Sequence, residues 1–452
     1  MVSRPSKQLR LTGSEEEFQL PAKSELRFES ERGCCLRLLE GKAEMFGAEL
    51  TCSRLYRLPG KSKSAVTTWH GCKLKLSGDH QECYTSQDIS ALTVYINLHA
   101  HLRQSRNEAE INQTAGPRVL IAGATHVGKS TLCRMLVNWA ARDGHEPVLI
   151  DLDVGQNQIV LPGAVGSLLV RRPCQPDDNG WFAEQPACAL HYGEVDPVQN
   201  FPLYQHVLDV LAMMVSFRCE NNNRSLIGGT VVNTFGWVQG DKGYRSLLHS
   251  CNAFEVDVVC VIDHERLYNR LSSDLPSTKV LLIPKSGGVI GRSTGLSAAL
   301  RTSRIREYFY GTPARPLYPH TFTIQIANNK SSITIPEASE KGIYVLYRVG
   351  MAKVPLSCLP IGMQEAENQK EVVRYKEPLS DLVNHMLAVS YASHPDKILN
   401  TNVAGYIVVT GIKEDKQSQR SESSMLEILS PQSFPLPGNI LLYSKVLFID
   451  MM

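Results

Sequence analysis

Apolar residues follow three successive rhythms along the chain, and each rhythm predicts a different kind of domain. From Phe18 to about Asn97 they come in short, near-alternating runs, at 25–29, 36–39, 65–69 and 91–96, separated by glycine and aspartate breaks. Alternation with period two and frequent turn residues predicts a small antiparallel β-sandwich or barrel. Residues 102–116 are polar and charged and predict a linking helix that stops at Gly116-Pro117.

From about Arg118 to Gly311, β-branched runs alternate with helical periodicity. Core strands are expected at 119–122, 147–152, 226–233, 256–262 and 279–283, with helices at 130–142, 201–217 and 243–251. Such alternation predicts an α/β domain with a doubly wound, mainly parallel sheet that binds ligands beyond its strands' carboxyl ends. After about Thr312 short β-rich runs return, at 332–335, 343–349, 406–410, 425–429 and 440–448, interrupted by polar stretches at 364–377 and 413–424. A small β-rich or α+β domain is expected there. The predicted division is an N-terminal β domain over 1–100, the α/β domain with its lid over 101–311, and the C-terminal domain over 312–452.

Composition narrows this picture little. A length of 452 residues exceeds one ordinary domain, and 43% hydrophobic with 20% charged residues is the balance of a soluble globular protein. A net charge of +2 provides no global attraction to nucleic acid, so RNA binding would need a local basic cleft. The 12 cysteines form no CxxC pair and are irregularly spaced, which reads as reduced thiols rather than disulfides or a zinc site. Residues 1–17 lack the apolar core of a secretory signal, and no apolar run approaches a membrane span, so no membrane partner is expected. No basic run of the kind that marks nuclear import occurs.

The chemistry is concentrated in four stretches. Gly123, Ala124, Thr125, His126, Val127, Gly128, Lys129 and Ser130 fit the phosphate-loop pattern GxxxxGK[ST], and Thr131 follows. An apolar run precedes them and a helical pattern follows, the context in which backbone N–H groups at a helix N-terminus face phosphates. Lys129 would reach the β- and γ-phosphates and Ser130 would hold Mg²⁺, so a nucleoside triphosphate is the expected ligand. Second, the strand at 147–152 delivers Asp151 and Asp153, which alternation would place on one face. Asp153, nearer the strand end, is the candidate base, with Asp151 and Gln156 as candidate contacts to metal, water or phosphate. Third, a strand ends in Thr234, Gly236 and Trp237, leaving an aromatic near the cleft that could stack on a base. A core tryptophan is the competing reading. Fourth, a glycine hinge at 287–291 leads into a helix carrying Arg292, Arg301, Arg304 and Arg306, the makings of a lid that closes on the γ-phosphate.

Together these stretches resemble the polynucleotide 5′-hydroxyl kinase family, in particular its branch in the pre-mRNA cleavage and polyadenylation machinery and with the tRNA-splicing endonuclease. The resemblance runs through residues 68–72, 123–131, 152–156, 233–237, 253–259, 265–269, 285–288, 305–311 and 405–410. It implies a three-domain nuclear protein that transfers the γ-phosphate of ATP, with Mg²⁺, to an RNA 5′-hydroxyl beside protein partners of both machineries. It also implies phosphate-loop roles for Lys129, Ser130 and Thr131, a catalytic Asp153, and RNA contacts at Trp237 and neighbouring Thr234. Gln156 matches the family glutamine, Arg292 and Arg301 the lid arginines, and Lys63 a lysine that holds adenine. Three positions depart from the family pattern: His126 for aspartate, Gln19 for an adenine-contacting glutamate, and Ser297 for a lid arginine. Two functions therefore stay open. An RNA 5′-kinase is favoured by Asp153, Gln156 and Trp237, and an ATP-bound scaffold of the 3′-end-processing complex by Ser297 and Gln19.

Overall fold

The structure is a computed structural model and describes residues 15–178, 188–289, 291, 294–312, 315–327, 335, 342–350, 370–413 and 423–449. Its helices are α1 (Ser90–Asn112), α2 (Lys129–Arg142), α3 (Phe201–Glu220), α4 (Asn223–Gly228), α5 (Gly240–Ala253), α6 (Glu265–Asp274) and α7 (Thr294–Tyr310). No helix among the described residues is long and apolar enough to cross a membrane.

The N-terminal alternation builds a β-sandwich. One sheet runs Glu15–Leu20, Cys72–Gly78, Cys34–Gly41, Leu55–Leu58, and the other Ala48–Glu49, Glu44–Met45, Ser62–Thr68, Ser24–Ser30, Gln81–Ser86. Strand Cys72–Gly78 shows why: Leu74 and Leu76 point into the core while Lys73 and Lys75 alternate outward. The run at 91–96, expected to be a strand, is instead the first part of α1. Its β-branched residues misled a short window. Over the whole helix Leu92, Tyr95, His99, Leu102, Arg106 and Ala109 are buried at helical spacing. The expected boundary at residue 100 therefore falls inside a helix.

The central sheet is ordered Cys188–His191, Ala164–Leu169, Val148–Asp151, Thr230–Asn233, Arg118–Ala122, Val258–Ile262, Lys279–Ile283. The last five are parallel, as expected; the first two form an antiparallel edge that the sequence did not announce. The predicted strand at 226–233 is split. Asn222 caps α4, Gly229 turns the chain at φ 70, and the strand proper is Thr230–Asn233. The chain steps from Arg118–Ala122 out to Val148–Asp151, returns to Thr230–Asn233 between them, then crosses to Val258–Ile262 on the other side. That reversal opens a crevice at the carboxyl ends of these strands, where doubly wound sheets bind ligands.

The C-terminal sheet is ordered His320–Ala327, Ser423–Ser430, Val403–Lys413, His385–Ser390, Ile440–Leu447, Ile343–Val349, Val372–Arg374. A further pairing of His320–Ala327 with Ile343–Val349 closes it into a barrel around Ile324, Leu387, Val409 and Leu441. The predicted run at 332–335 lies outside the described residues except for Ile335.

Both β domains dock on the central one. Glu44 pairs with Arg142 of α2 at 2.5 Å, and the Asn138 side chain donates to the Phe46 carbonyl at 2.8 Å. On the other side the Lys445 amide donates to the Gly193 carbonyl at 2.9 Å, and His191 Nε2 donates to the Tyr443 carbonyl at 3.0 Å.

His191 is fully enclosed at that second interface, and burial lowers its pKa from 6.5 to about 4. A base whose folded pKa lies below its unfolded one supports stability fully above the unfolded value and loses that support as pH falls toward the folded value. Acidification from pH 7 to about 4.5 should thus destabilise the protein through His191 by at most about 3 kcal/mol. His191→Gln keeps a donor for Tyr443 but does not titrate. Urea unfolding at both pH values should show a smaller difference for the variant; equal differences would exclude this origin.

Candidate nucleotide and phosphoryl-transfer site

The phosphate loop leaves the buried strand Arg118–Ala122 and enters α2 at Gly128. Gly123, His126 and Gly128 all have positive φ, at 150°, 60° and 101°. At Gly128 this geometry suits glycine, and any side chain there would also lie 3.1 Å from Val289 of the lid hinge. Lys129 is only 7% exposed, and its ammonium donates to the Ala124 carbonyl at 2.7 Å, so it lies inside the curve of the loop. Burial lowers its pKa, and the charge of Asp153 works in the opposite direction.

The strand Val148–Asp151 ends at Asp151, so Asp153 lies in the following loop rather than one alternation further along a strand. The expected shared face is therefore replaced by a turn. Asp151 accepts from the Asp153 amide at 3.1 Å, the Gln158 amide at 2.7 Å and the Asn233 side chain at 2.9 Å. Burial first, and the neighbouring Asp153 second, push its pKa up to about 7. Asp153 accepts from the amides of Gly155 and Gln156, both at 2.9 Å. Burial raises its pKa as well, against those two amides and the charges of Lys129 and His126.

Asn233 joins the two halves of the site. Its amide nitrogen donates both to Asp151 and to the Ser130 hydroxyl, at 3.1 Å to the latter. Ser130 and Asp151 thereby offer hard oxygens of the type a divalent cation takes. The sequence signal for Asn233 is a polar residue ending a fully buried strand.

Thr234, expected beside the RNA, has its hydroxyl turned inward. It is buried, and its hydroxyl donates to the Ile121 carbonyl at 2.8 Å, so it ties adjacent strands rather than facing a ligand. Trp237 is half-buried, with Phe201 edge-on to its ring at 6.1 Å and Gly243 against it. Its loop abuts the phosphate loop: a Cβ on Gly236 would lie 2.8 Å from the Thr125 backbone. Gln156 is half-buried beside Asp153.

In the lid, Arg292 lies outside the described residues, Arg301 is half-buried on α7, and Ser297 is 8% exposed on the same helix. Gln19 is exposed on one sheet of the sandwich, whereas Lys63 sits on the other, paired with Glu29 at 2.7 Å. From the sandwich, Arg27 reaches the lid hinge: its guanidinium would lie 3.0 Å from a Cβ on Gly288. Arg304 also enters the site region, donating to the Gln158 side chain at 3.2 Å.

A family model described as mRNA cleavage and polyadenylation factor CLP1 P-loop matches residues 123–311. Models for the N-terminal beta-sandwich domain of polyadenylation factor and for pre-mRNA cleavage complex II protein Clp1 match residues 19–109 and 317–450. The polyribonucleotide 5′-hydroxyl-kinase Clp1 of Gallus gallus is 42% identical over 438 residues, 96% of either chain. The chain belongs to the Clp1 family. The Homo sapiens Clp1 of the same description is also 42% identical over 96% of each chain, and that of Xenopus laevis 40% over 99% and 97%. Two solved structures of Clp1p with Pcf11p share the fold, with TM-scores of 0.80 and 0.79 at 18% and 19% identity. Each match covers 97% of this chain and 99% of the other.

Lys129→Ala removes the one ammonium inside the phosphate loop. ATP affinity should fall about 10- to 100-fold, the worth of a charge-assisted hydrogen bond. Calorimetric titration with ATP measures this, and an unchanged dissociation constant would place the nucleotide elsewhere.

Proposed function

We propose that this Clp1-family chain is an ATP-dependent polyribonucleotide 5′-hydroxyl kinase of mRNA 3′-end cleavage and polyadenylation and of tRNA splicing. The observation that carries this reading is the convergence of Lys129, Ser130, Asn233, Asp151 and a turn-held Asp153 at one end of the sheet. Relatives described as polyribonucleotide 5′-hydroxyl kinases align with it over 96% of the chain. An ATP-bound scaffold could use the phosphate loop and Asp151 to hold ATP with Mg²⁺, but gains nothing from Asp153 as a base. We place the protein in the nucleus with partners of the cleavage and polyadenylation machinery and the tRNA-splicing endonuclease.

In transfer, the RNA 5′-oxygen attacks the γ-phosphorus as the bond to the bridging oxygen of ADP breaks. Asp153 accepts the hydroxyl proton; burial raises its pKa, which strengthens it as a base toward neutral pH. The amides of Gly155 and Gln156 hold that carboxylate in place. Lys129 turns from the Ala124 carbonyl to the transferring phosphoryl group. Ser130 and Asp151, with Gln156 near, would hold Mg²⁺, which supplies positive charge to the phosphate oxygens. A buried carboxylate with its pKa pushed up to about 7 is a fitting partner for such an ion. Trp237, backed by Phe201, offers a ring for the terminal base, and Arg301 and Arg292 would approach the γ-phosphate as the lid closes.

Labelled transfer from γ-phosphate ATP to a 5′-hydroxyl oligoribonucleotide is the direct test. Asp153→Ala should bind ATP normally yet lose about 10²–10⁴-fold in rate; near-parental transfer would remove Asp153 as the base. Trp237→Ala should weaken use of short RNA by about 1–3 kcal/mol and spare ATP affinity; equal loss of both would return the ring to the core. Ser297→Arg should speed single-turnover transfer and Arg301→Ala should slow it severely. ATP binding without transfer by the parent or either variant favours the scaffold.

A further inference from the structure

The lid helix is anchored to the barrel by apolar contacts at its far end. Ile305 and Phe309 are buried, Phe309 stacks on Phe448 at 5.9 Å, and the Tyr308 hydroxyl accepts from the Tyr406 amide at 3.0 Å. Arg304 on the same helix has its side chain only 18% exposed, although sinking a guanidinium is costly unless it is paired. Its partners include Glu307 at 3.5 Å on the same helix and the Gln158 side-chain oxygen at 3.2 Å.

Gln158 belongs to the catalytic loop. Its main-chain amide donates to Asp151 at 2.7 Å, and its side-chain nitrogen donates to the Gln156 carbonyl at 3.3 Å. Asp151 in turn accepts from Asn233, which donates to Ser130 at 3.1 Å. A continuous set of hydrogen bonds thus runs from the lid helix through Gln158 and Asp151 to the phosphate-loop hydroxyl. Ser297, Arg301 and Arg304 are spaced four and then three apart, so they share one face of α7. Arg304 is the position on that face whose contact with the loop is already made.

We propose that Arg304 is a positioning residue for phosphoryl transfer: by holding Gln158 it sets the Asp151–Gln158 loop in register with the lid and with Ser130. The proposal rests on the kinase reading and deepens it. Arg304 acts on the placement of the groups around the γ-phosphate, not on the hold of the phosphate loop on ATP.

The experiment compares Arg304→Ala, Arg304→Lys, Gln158→Ala and the Arg304→Ala/Gln158→Ala pair with the parent in the full chain. Single-turnover transfer to a 5′-hydroxyl oligoribonucleotide should fall about 10- to 100-fold in either alanine variant, the scale of a lost hydrogen bond to a charged group. The ATP dissociation constant should stay within about twofold, and the pair should be no slower than the worse single, as expected for two residues of one contact. Arg304→Lys, which retains a cationic donor, should recover part of the rate. Amide hydrogen exchange should show faster exchange across 151–158 in both alanine variants than in the rest of the central sheet. Additive losses, loss of ATP affinity in step with rate, or no recovery by lysine would overturn the proposal. A parent without transfer overturns the kinase reading instead, and the exchange arm still decides whether Arg304 holds the loop: unaltered exchange there sinks the proposal by itself.

Discussion

Withdrawing a carboxylate from water at the end of a central strand dictates what must surround it. Asp151 is 1% exposed, and three donors converge on it, from Asp153, Gln158 and Asn233. Each donor is drawn from a different part of the site: the loop bearing the candidate base, the segment touched by the lid helix, and the strand beside the phosphate loop. An acceptor with that many donors cannot move without breaking the set, and partial loss inside a low-dielectric site is expensive. The same enclosure pushes its pKa up to about 7 and leaves it poised to exchange a proton for a cation. Fixing one buried charge thus arranges several groups whose chemistry is elsewhere.

The surrounding domains hold that arrangement from both sides. The sandwich clasps the far end of α2 through Glu44 and Arg142, so the helix that begins at the phosphate loop ends in an interdomain ion pair. The barrel takes the far end of α7 through Tyr308 and Phe309 and caps the sheet edge at His191. Near the hinge, Val289 lies over Gly128 and Arg27 lies against Gly288. The described parts of this region are thus in contact with the other domains at both ends, near Gly288 and at Phe309.

What the sequence made legible and what it hid divide along a physical line. Runs whose burial repeats over many residues were readable: the parallel strands Arg118–Ala122 and Val258–Ile262, buried on both faces, and the alternating Cys72–Gly78. The phosphate loop was readable because its chemistry requires those residues at that spacing. Short runs were not. At 91–96 a β-branched stretch is overruled by helical burial that shows only across all of α1, and Ala164–Leu169 and Cys188–His191 are strands of only 6 and 4 residues, too short for a period to show. Thr234 stands at a strand end like the functional residues, yet its hydroxyl faces inward to Ile121. Which side a single side chain takes is decided by register with neighbouring strands, and one chain read alone does not carry that. Asn233 and Gln158 were hidden for the same reason, since both act through partners distant in sequence.

The lid departure at Ser297 carries a different weight once the helix is seen in place. A lost arginine would be decisive if α7 were a loose arm whose charges alone drew it to the phosphates. Instead Ser297 is buried, at 8% exposed, on a helix already seated by Ile305 and Phe309 and joined to the catalytic loop through Arg304. Packing and the Arg304 contact both hold the lid helix, so its place does not depend on the residue at 297. Arg301 lies one turn beyond Ser297 on the same face and supplies a guanidinium there. If Ser297 stands where relatives carry a lid arginine, as the resemblance implies, the change would remove one source of charge stabilisation from a lid that is still held in place. Slower transfer follows from that geometry more directly than conversion to a nucleotide-bound scaffold.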